Sequence, residues 1–274
     1  MFLKNLKTLL SEPGMGMEFA SYSVSRLLHG GQPIRVLPGN VAVTGFSGFG
    51  EYHSCAEFVG PEECAFFANF PKAEGDVIDI GANLGIVSVL LSRSFPDRRI
   101  HSFEPNPHTI AALRRNLEIN NCTNVTAHEA AVADRDGTVS FEAHPTNRAT
   151  TSISGGTSPH AVTVPCTTLD AFMEKEKLEA LAFLKVDVEG YETAVFRGAA
   201  RALAQRNAAM IFFEIAPALT VQAGFAADQP ARMLLDAGYQ LMRMRMDGSM
   251  YPAEVSEIRK IRPEASENWI ALRA

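Results

Sequence analysis

Apolar residues recur along this chain with two periods, and the switching between them lays out the elements. Phe2, Leu3, Leu6, Leu9 and Leu10 fall at helical spacing, and Pro13-Gly14 breaks the run before a second short helix predicted to end at Leu28. Residues 33–60 set β-branched and aromatic residues between glycines, from Val41 to Phe49, which predicts a hairpin rather than a helix. From Asp76 onward, short apolar runs alternate with helical patterns. VIDI (77–80), IHSFE (100–104) and VTAHEA (125–130) are strands, separated by helices over 85–94 and 107–119. The second of these helices gathers Ile110, Leu113 and Leu117 on one side. After a polar stretch come FLKVDV (183–188), a helix over 192–205, MIFFEI (210–215) and a helix around 229–237. Two late strands, QLMRM (240–244) and NWIAL (268–272), close the chain. Strands alternating with helices of this size predict an α/β fold, a doubly wound, mostly parallel sheet covered on both faces. The Ser-, Thr- and Gly-rich stretch 144–160 has no element of its own, as functional or disordered loops do.

Composition narrows the classes. The chain has 274 residues, 46% of them hydrophobic, and 25 Lys and Arg against 31 Asp and Glu give a net charge of −6. That balance argues against a nucleic-acid partner, which calls for a basic face. A chain of this length buries roughly 70–75% of its unfolded surface, so it needs no disulfide or metal to hold together. Cys55, Cys64, Cys122 and Cys166 form no CxxC pair and no metal-ligand spacing, which fits reduced thiols in a cytoplasmic protein. No apolar run approaches a membrane span, and Lys4, Asn5 and Lys7 interrupt the N-terminal run where a secretory signal would be unbroken. We divide the chain into an N-terminal helical and hairpin extension, 1–70, and a ligand-binding domain, 71–274. The extension serves either as a lid and acceptor contact or as a homodimer contact, and its first ten residues could also lie on an anionic membrane surface.

The chemistry concentrates where strands end. In Val77-Ile78-Asp79-Ile80-Gly81-Ala82-Asn83-Leu84-Gly85 a strand runs into a glycine turn that opens a helix, the geometry that brings backbone close to a nucleotide-like ligand. A dinucleotide fingerprint would read GxGxxG and seat a pyrophosphate on the helix start. Here Asn83 replaces the middle glycine and Asp79 precedes the turn. A carboxylate repels a pyrophosphate and attracts a cation, so S-adenosylmethionine fits better than a nicotinamide dinucleotide. Glu104, in FEPNP at the next strand end, stands where an acid can accept from ribose hydroxyls. The ordinary alternative is a plain turn flanked by strand-end carboxylates. A second constellation, Lys185-Val186-Asp187-Val188-Glu189-Gly190-Tyr191-Glu192, sits at the end of the fourth core strand, beside the first. Buried charges there are either paired, used, or spent capping the following helix.

The DIGANLG and FEPNP motifs, the run Ala130 to Asp134 followed by Asp136-Gly137, Thr168-Leu169-Asp170, LKVDVEGYE with Arg197-Gly198-Ala199, and Glu214 occur in an order that resembles the FkbM family of S-adenosylmethionine-dependent methyltransferases. The resemblance covers about residues 77–215. It implies a class I methyltransferase fold, Rossmann-like, with a seven-stranded sheet whose last strand is antiparallel. It also implies O-methylation of a hydroxyl on a small molecule, sugar or polyketide-type natural product. Carried over by position, it implies that Asp79, Gly81, Ala82, Asn83 and Gly85 line the methionine part and Glu104 the ribose. Pro105 and Asn106 join them as cofactor contacts, Ala131 approaches the adenine, and Asp187 and Glu189 lie next to the transferring methyl.

Methyl transfer to an alcohol calls for in-line alignment and a general base. Asp187 and Glu189 are the first candidates, and His53, after a glycine-rich strand that could fold over the crevice, is the third. His101 and His128 fall inside strands and read as core-edge groups. Asp187, Glu189 and Glu192 match no metal-binding loop, so no metal is assigned. The alternatives are a cofactor-binding partner subunit without catalysis and an N-directed or metal-assisted small-molecule methyltransferase.

Overall fold

The computed structural model describes residues 14–142 and 161–273. The expected first helix and the 144–160 stretch therefore lie outside the described residues. Helix Met15–Leu28 leads into a hairpin of β1 (Arg35–Leu37) and β2 (Val41–Val43). Residues 49–57, inside the stretch expected to be a hairpin, are helical instead: an α-turn over Phe49–Ser54 and a 3₁₀ turn over Cys55–Glu57. Two local causes are visible. The Ser47 N–H donates to Glu51 Oε2 at 2.6 Å, a helix-start contact, and Phe49 and Tyr52 share one helical face against Tyr22.

Strands β3 (Asp76–Ile80), β4 (Ile100–Phe103), β5 (Val125–His128), β9 (Leu181–Val186) and β10 (Met210–Ile215) run parallel in the order β5-β4-β3-β9-β10. Strand β13 (Glu267–Arg273), last in the chain, inserts antiparallel between β10 and β11 (Tyr239–Met244). Those seven strands match the expected sheet, and β12 (Met250–Pro252) adds a short eighth at the edge. Both faces are covered, so alternate residues of one strand enter different cores. Phe183 and Phe212 pack with Phe66, Leu91 and Leu113 on one side, Leu184 and Phe213 with Phe172, Val195 and Leu234 on the other. The order reverses beside β3, whose neighbours are β4 and β9, and a crevice opens beyond the carboxyl ends of the strands there.

The sequence reading passed over a second sheet. Strands β6 (Ala131–Val132), β8 (Ala161–Thr167) and β7 (Gly137–Glu142) pair in that order, closing a small core around Val139, Phe141, Val164 and Cys166. The helix expected over 192–205 is two, Glu192–Arg197 and Ala200–Ala204, divided at Gly198-Ala199. A Cβ at Gly198 would lie 1.9 Å from Ala133 O, so the break lets the helix pair meet the strand ends.

The N-terminal segment shares the core of the large sheet, to which Val41, Val43, Phe66 and Phe67 contribute. Asn116, 1% exposed, fastens it. Its Oδ1 accepts from the Thr44 N–H at 2.8 Å, while Nδ2 donates to Thr44 O and Leu84 O. One turn on, Asn120 receives the Ala42 N–H and returns a bond to Ala42 O, so the helix Pro107–Ile119 and its cap substitute for a neighbouring strand. Among the described residues no helix is long and apolar enough to cross a membrane.

Candidate active site

Glycine is required where the strand tips meet. Gly81, at φ 79°, follows β3, and a Cβ there would lie 1.8 Å from Asp187 O. Any side chain would force the ends of β3 and β9 apart. Asn83 follows with φ 48°, a position that asparagine tolerates better than most residues.

Beneath this turn lies a three-charge array in which Lys185 and Asp79 are buried and Asp187 is partly exposed. Lys185, 4% exposed, donates to Gly81 O at 3.1 Å and sits 3.1 Å from Asp187 Oδ2 and 3.5 Å from Asp79 Oδ1. Burial opposes the ammonium, but the Asp187 and Asp79 carboxylates outweigh it and hold its pKa above the usual lysine value. Asp79 is fully buried, and its Oδ2 accepts from Ser88 Oγ at 2.6 Å.

Two cavities open above the array and share Gly81, Asn83, Asp187 and Glu189. The smaller, about 160 Å³, is walled by Ile80, Phe103, Pro105, Ala131, Val139 and Phe141, with Glu104 at its edge. Glu104 accepts the Asn83 N–H at 2.9 Å and the Asn106 N–H at 2.8 Å, one on each oxygen, and keeps lone pairs for further donors. Burial pushes its pKa up to about 7. The larger cavity, about 560 Å³, reaches from Ala82 and Leu84 to Glu63, Glu214, Arg243 and Asn268. Burial, helped by Asp187 and Glu192, raises Glu189 to about 7. Burial and the Asp187, Glu189 and Glu192 carboxylates raise Glu214 to about 9. Glu214 and Asn268 stand directly opposite each other on β10 and β13. Glu214 Oε2, Asn268 Oδ1 and Asn83 Oδ1 are buried atoms without a hydrogen-bond partner.

Gly81, Ala82, Asn83, Glu104, Pro105, Ala131, Asp187 and Glu189 thus line the cavities. Four others do not. Asp79 is covered, its charge already met by Lys185, so it positions the array rather than facing a ligand. Gly85 serves packing, since a Cβ there would sit 2.3 Å from Leu113 Cδ1. Asn106 caps the helix Pro107–Ile119 by accepting the His108 N–H. His53 Nδ1 lies 2.5 Å from Glu18 Oε2, beside the Arg35–Glu18 ion pair, and ties helix Met15–Leu28 to the Phe49–Ser54 turn. His101 and His128 are hydrogen-bonded to each other at 3.0 Å, as core-edge groups are. Glu63 and Asn268 were not expected, and Glu214 was noted without a site role. The signal for Glu214 was available, a lone acid near the carboxyl end of the apolar strand MIFFEI.

Other motif residues prove to be fasteners. Thr168 caps the helix Leu169–Glu176, and Asp170 accepts the N–H groups of Arg201 and Ala202 at the start of the helix Ala200–Ala204. The profile of the methyltransferase FkbM domain matches residues 79–241, more than half of the chain. The chain belongs to the FkbM methyltransferase family. Methyltransferase 1 of Beauveria bassiana is 27% identical over 157 residues, 50% of this chain and 63% of that protein. The hexuronic acid methyltransferase AglP of Haloferax volcanii is 29% identical over 135 residues, 49% of this chain and 54% of that protein. The chain therefore spans less than two thirds of either relative. The crystal structure of methyltransferase FkbM from Methylobacillus flagellatus superposes over 82% of this chain and 52% of that one, with a TM-score of 0.49 and 14% identity. The smaller cavity lies wholly within the matched segment, and the larger adds the N-terminal Glu63 region, Arg243, Met244 and the start of β13.

Proposed function

We propose that this FkbM methyltransferase transfers a methyl group from S-adenosylmethionine to a hydroxyl oxygen of a small molecule of the sugar or polyketide type. One observation carries the reading: an apolar cavity with one carboxylate at its edge adjoins a larger cavity rich in carboxylates, and Asp187 and Glu189 stand at the junction. The residues suit that cofactor. Pro105, Ala131 and Phe141 offer apolar walls for a purine, Glu104 has lone pairs for ribose hydroxyls, and the unpartnered Asn83 Oδ1 awaits a donor. When bound, S-adenosylmethionine supplies a methyl group already activated by its sulfonium. Glu189 is the base we assign. Its carboxyl, raised to about 7, can take a hydroxyl proton near neutrality, and its backbone at φ 54° is a conformation non-glycine residues hold only where the surroundings impose it. Asp187 faces Lys185 at 3.1 Å and orients that ammonium against Gly81 O. Glu214, raised to about 9 by burial and its carboxylate neighbours, is protonated while the site is empty and gives up that proton when a cation settles against it. The name of AglP, a hexuronic acid methyltransferase, adds support for sugar-type acceptors.

The test is label transfer from S-adenosylmethionine to a panel of glycosides and macrolactones. Glu189→Gln is expected to lower the rate by about 10²- to 10⁴-fold and to remove a rise in rate through about pH 7. Transfer at the wild-type rate by that variant would reject Glu189 as the base, and label found on nitrogen would reject O-methylation.

A further inference from the structure

The larger cavity carries more negative charge than its own cations and the proposed cofactor can meet. Two cations line it. Lys185 is committed to Asp79 and Asp187, and Arg243 to Glu257 at 3.2 Å and Glu267 at 2.8 Å. Among the described residues no ion pair reaches Glu62, Glu63, Glu189 or Glu214, all of which line the cavity. S-adenosylmethionine, with a sulfonium, an ammonium and a carboxylate, brings one net positive charge, which leaves three of those four carboxyls without a counter-charge.

Two of the four, Glu63 and Glu214, are arranged, not scattered. The Asn268 side chain donates from Nδ2 to Glu63 Oε1, and Asn268 faces Glu214 across the β10–β13 pair, so Glu63, Asn268 and Glu214 form a row on one wall of the cavity. Glu63 is anchored at its other oxygen by the Gly60 N–H at 2.6 Å. The row ends in acceptors that lack donors, Glu214 Oε2 and Asn268 Oδ1, both buried. Buried acceptors without donors are costly, and a ligand bringing several N–H or O–H groups relieves that cost. An ammonium brings three donors and a charge of the right sign.

We infer that the acceptor is an amine-bearing hydroxyl compound of the amino-sugar class, seated with its ammonium on the Glu63–Asn268–Glu214 row and its hydroxyl toward Glu189. The inference rests on the methyltransferase reading above and narrows it. On the row the amine stays protonated, with no lone pair to attack, so the hydroxyl is the nucleophile. An anionic acceptor such as a uronic acid meets this row of carboxyls and no uncommitted cation among the lining residues, and complementarity of charge rejects it.

Calorimetry on the enzyme loaded with S-adenosylhomocysteine tests this with three matched disaccharides: β-1,4-linked glucosamine, its N-acetylated form and a glucuronic-acid disaccharide. The glucosamine disaccharide is expected to bind at least about tenfold tighter than the N-acetylated form, with the uronic acid weakest. The isosteric Glu214→Gln is expected to shrink the preference for the free amine. Equal or tighter binding of the N-acetylated or uronic form, or no binding of the glucosamine disaccharide, overturns the inference, and the wild-type comparison decides it even if the variant folds poorly. Failure of S-adenosylhomocysteine itself to bind, measured first, would sink the underlying reading instead.

Discussion

Lys185→Met isolates the energetics beneath the site. The ammonium lies 3.1 Å from Asp187 Oδ2 and 3.5 Å from Asp79 Oδ1. At an effective dielectric of about 20, each attraction is about 5 kcal/mol, and desolvating three groups offsets much of the sum. The variant strands the Asp79 carboxylate, which is fully buried and keeps only its Ser88 bond of 2.6 Å. Leaving one member of a buried pair alone costs about 3–5 kcal/mol. For a chain of this length that is a fall in Tm of roughly 6–10 °C. Urea unfolding followed by circular dichroism measures it, and the double variant Lys185→Met/Asp79→Asn, which removes the orphaned charge, should recover a large part of the loss. A loss below about 1 kcal/mol, or a double variant no better than the single, would refute the claim that this array is energetically coupled.

Other outcomes follow from the same geometry. Asn116→Ala leaves Thr44 N, Thr44 O and Leu84 O without their partner, so urea unfolding should show a loss of about 2–4 kcal/mol and hydrogen exchange a faster Thr44 amide. A loss under about 1 kcal/mol would mean that water replaces the asparagine. Glu104, Glu189 and Glu192, each raised to about 7, and Glu214, raised to about 9, bind protons more tightly folded than unfolded. Unliganded stability should therefore fall from about pH 4.5 to 9, more steeply below about 7 than above it, with Glu214→Gln flattening the upper part of that window. Below about pH 6.5 the slope is opposed by His128, which burial and the neighbouring His101 lower to about 4. Stability that rises between pH 7 and 9 would contradict these shifts.

The large sheet was legible because its strands are short apolar runs bounded by glycine and its helices have plain apolar faces. Pro107–Ile119 and Met210–Ile215 fall where their patterns place them. The second sheet was not, because Thr138, Ser140 and Thr163 supply the polar half of a strand alternation in a stretch that reads as solvated loop. The helical turn Phe49–Ser54 was not predicted because Gly48 and Gly50 masked the three-residue spacing of Phe49 and Tyr52. At the site, motif residues that touch the cavity and those that hold it up look alike in one dimension. Glu104 and Asp79 are both strand-end acids, yet Lys185 approaches from β9 and covers only the second. Asn268 could not be found from its own segment, since its relevance comes from facing Glu214 across an antiparallel pair formed by a strand far along the chain.

The central claim is that the paired cavities beside Gly81 hold a sulfonium cofactor, and titration calorimetry of S-adenosylmethionine into the purified protein tests it most directly. We predict saturable one-to-one binding, a net release of protons near pH 7 as the raised carboxyls give up theirs to meet the cation, and a large loss of affinity in Glu104→Gln. Absence of binding at millimolar ligand, or binding indifferent to Glu104→Gln and accompanied by proton uptake, would contradict it.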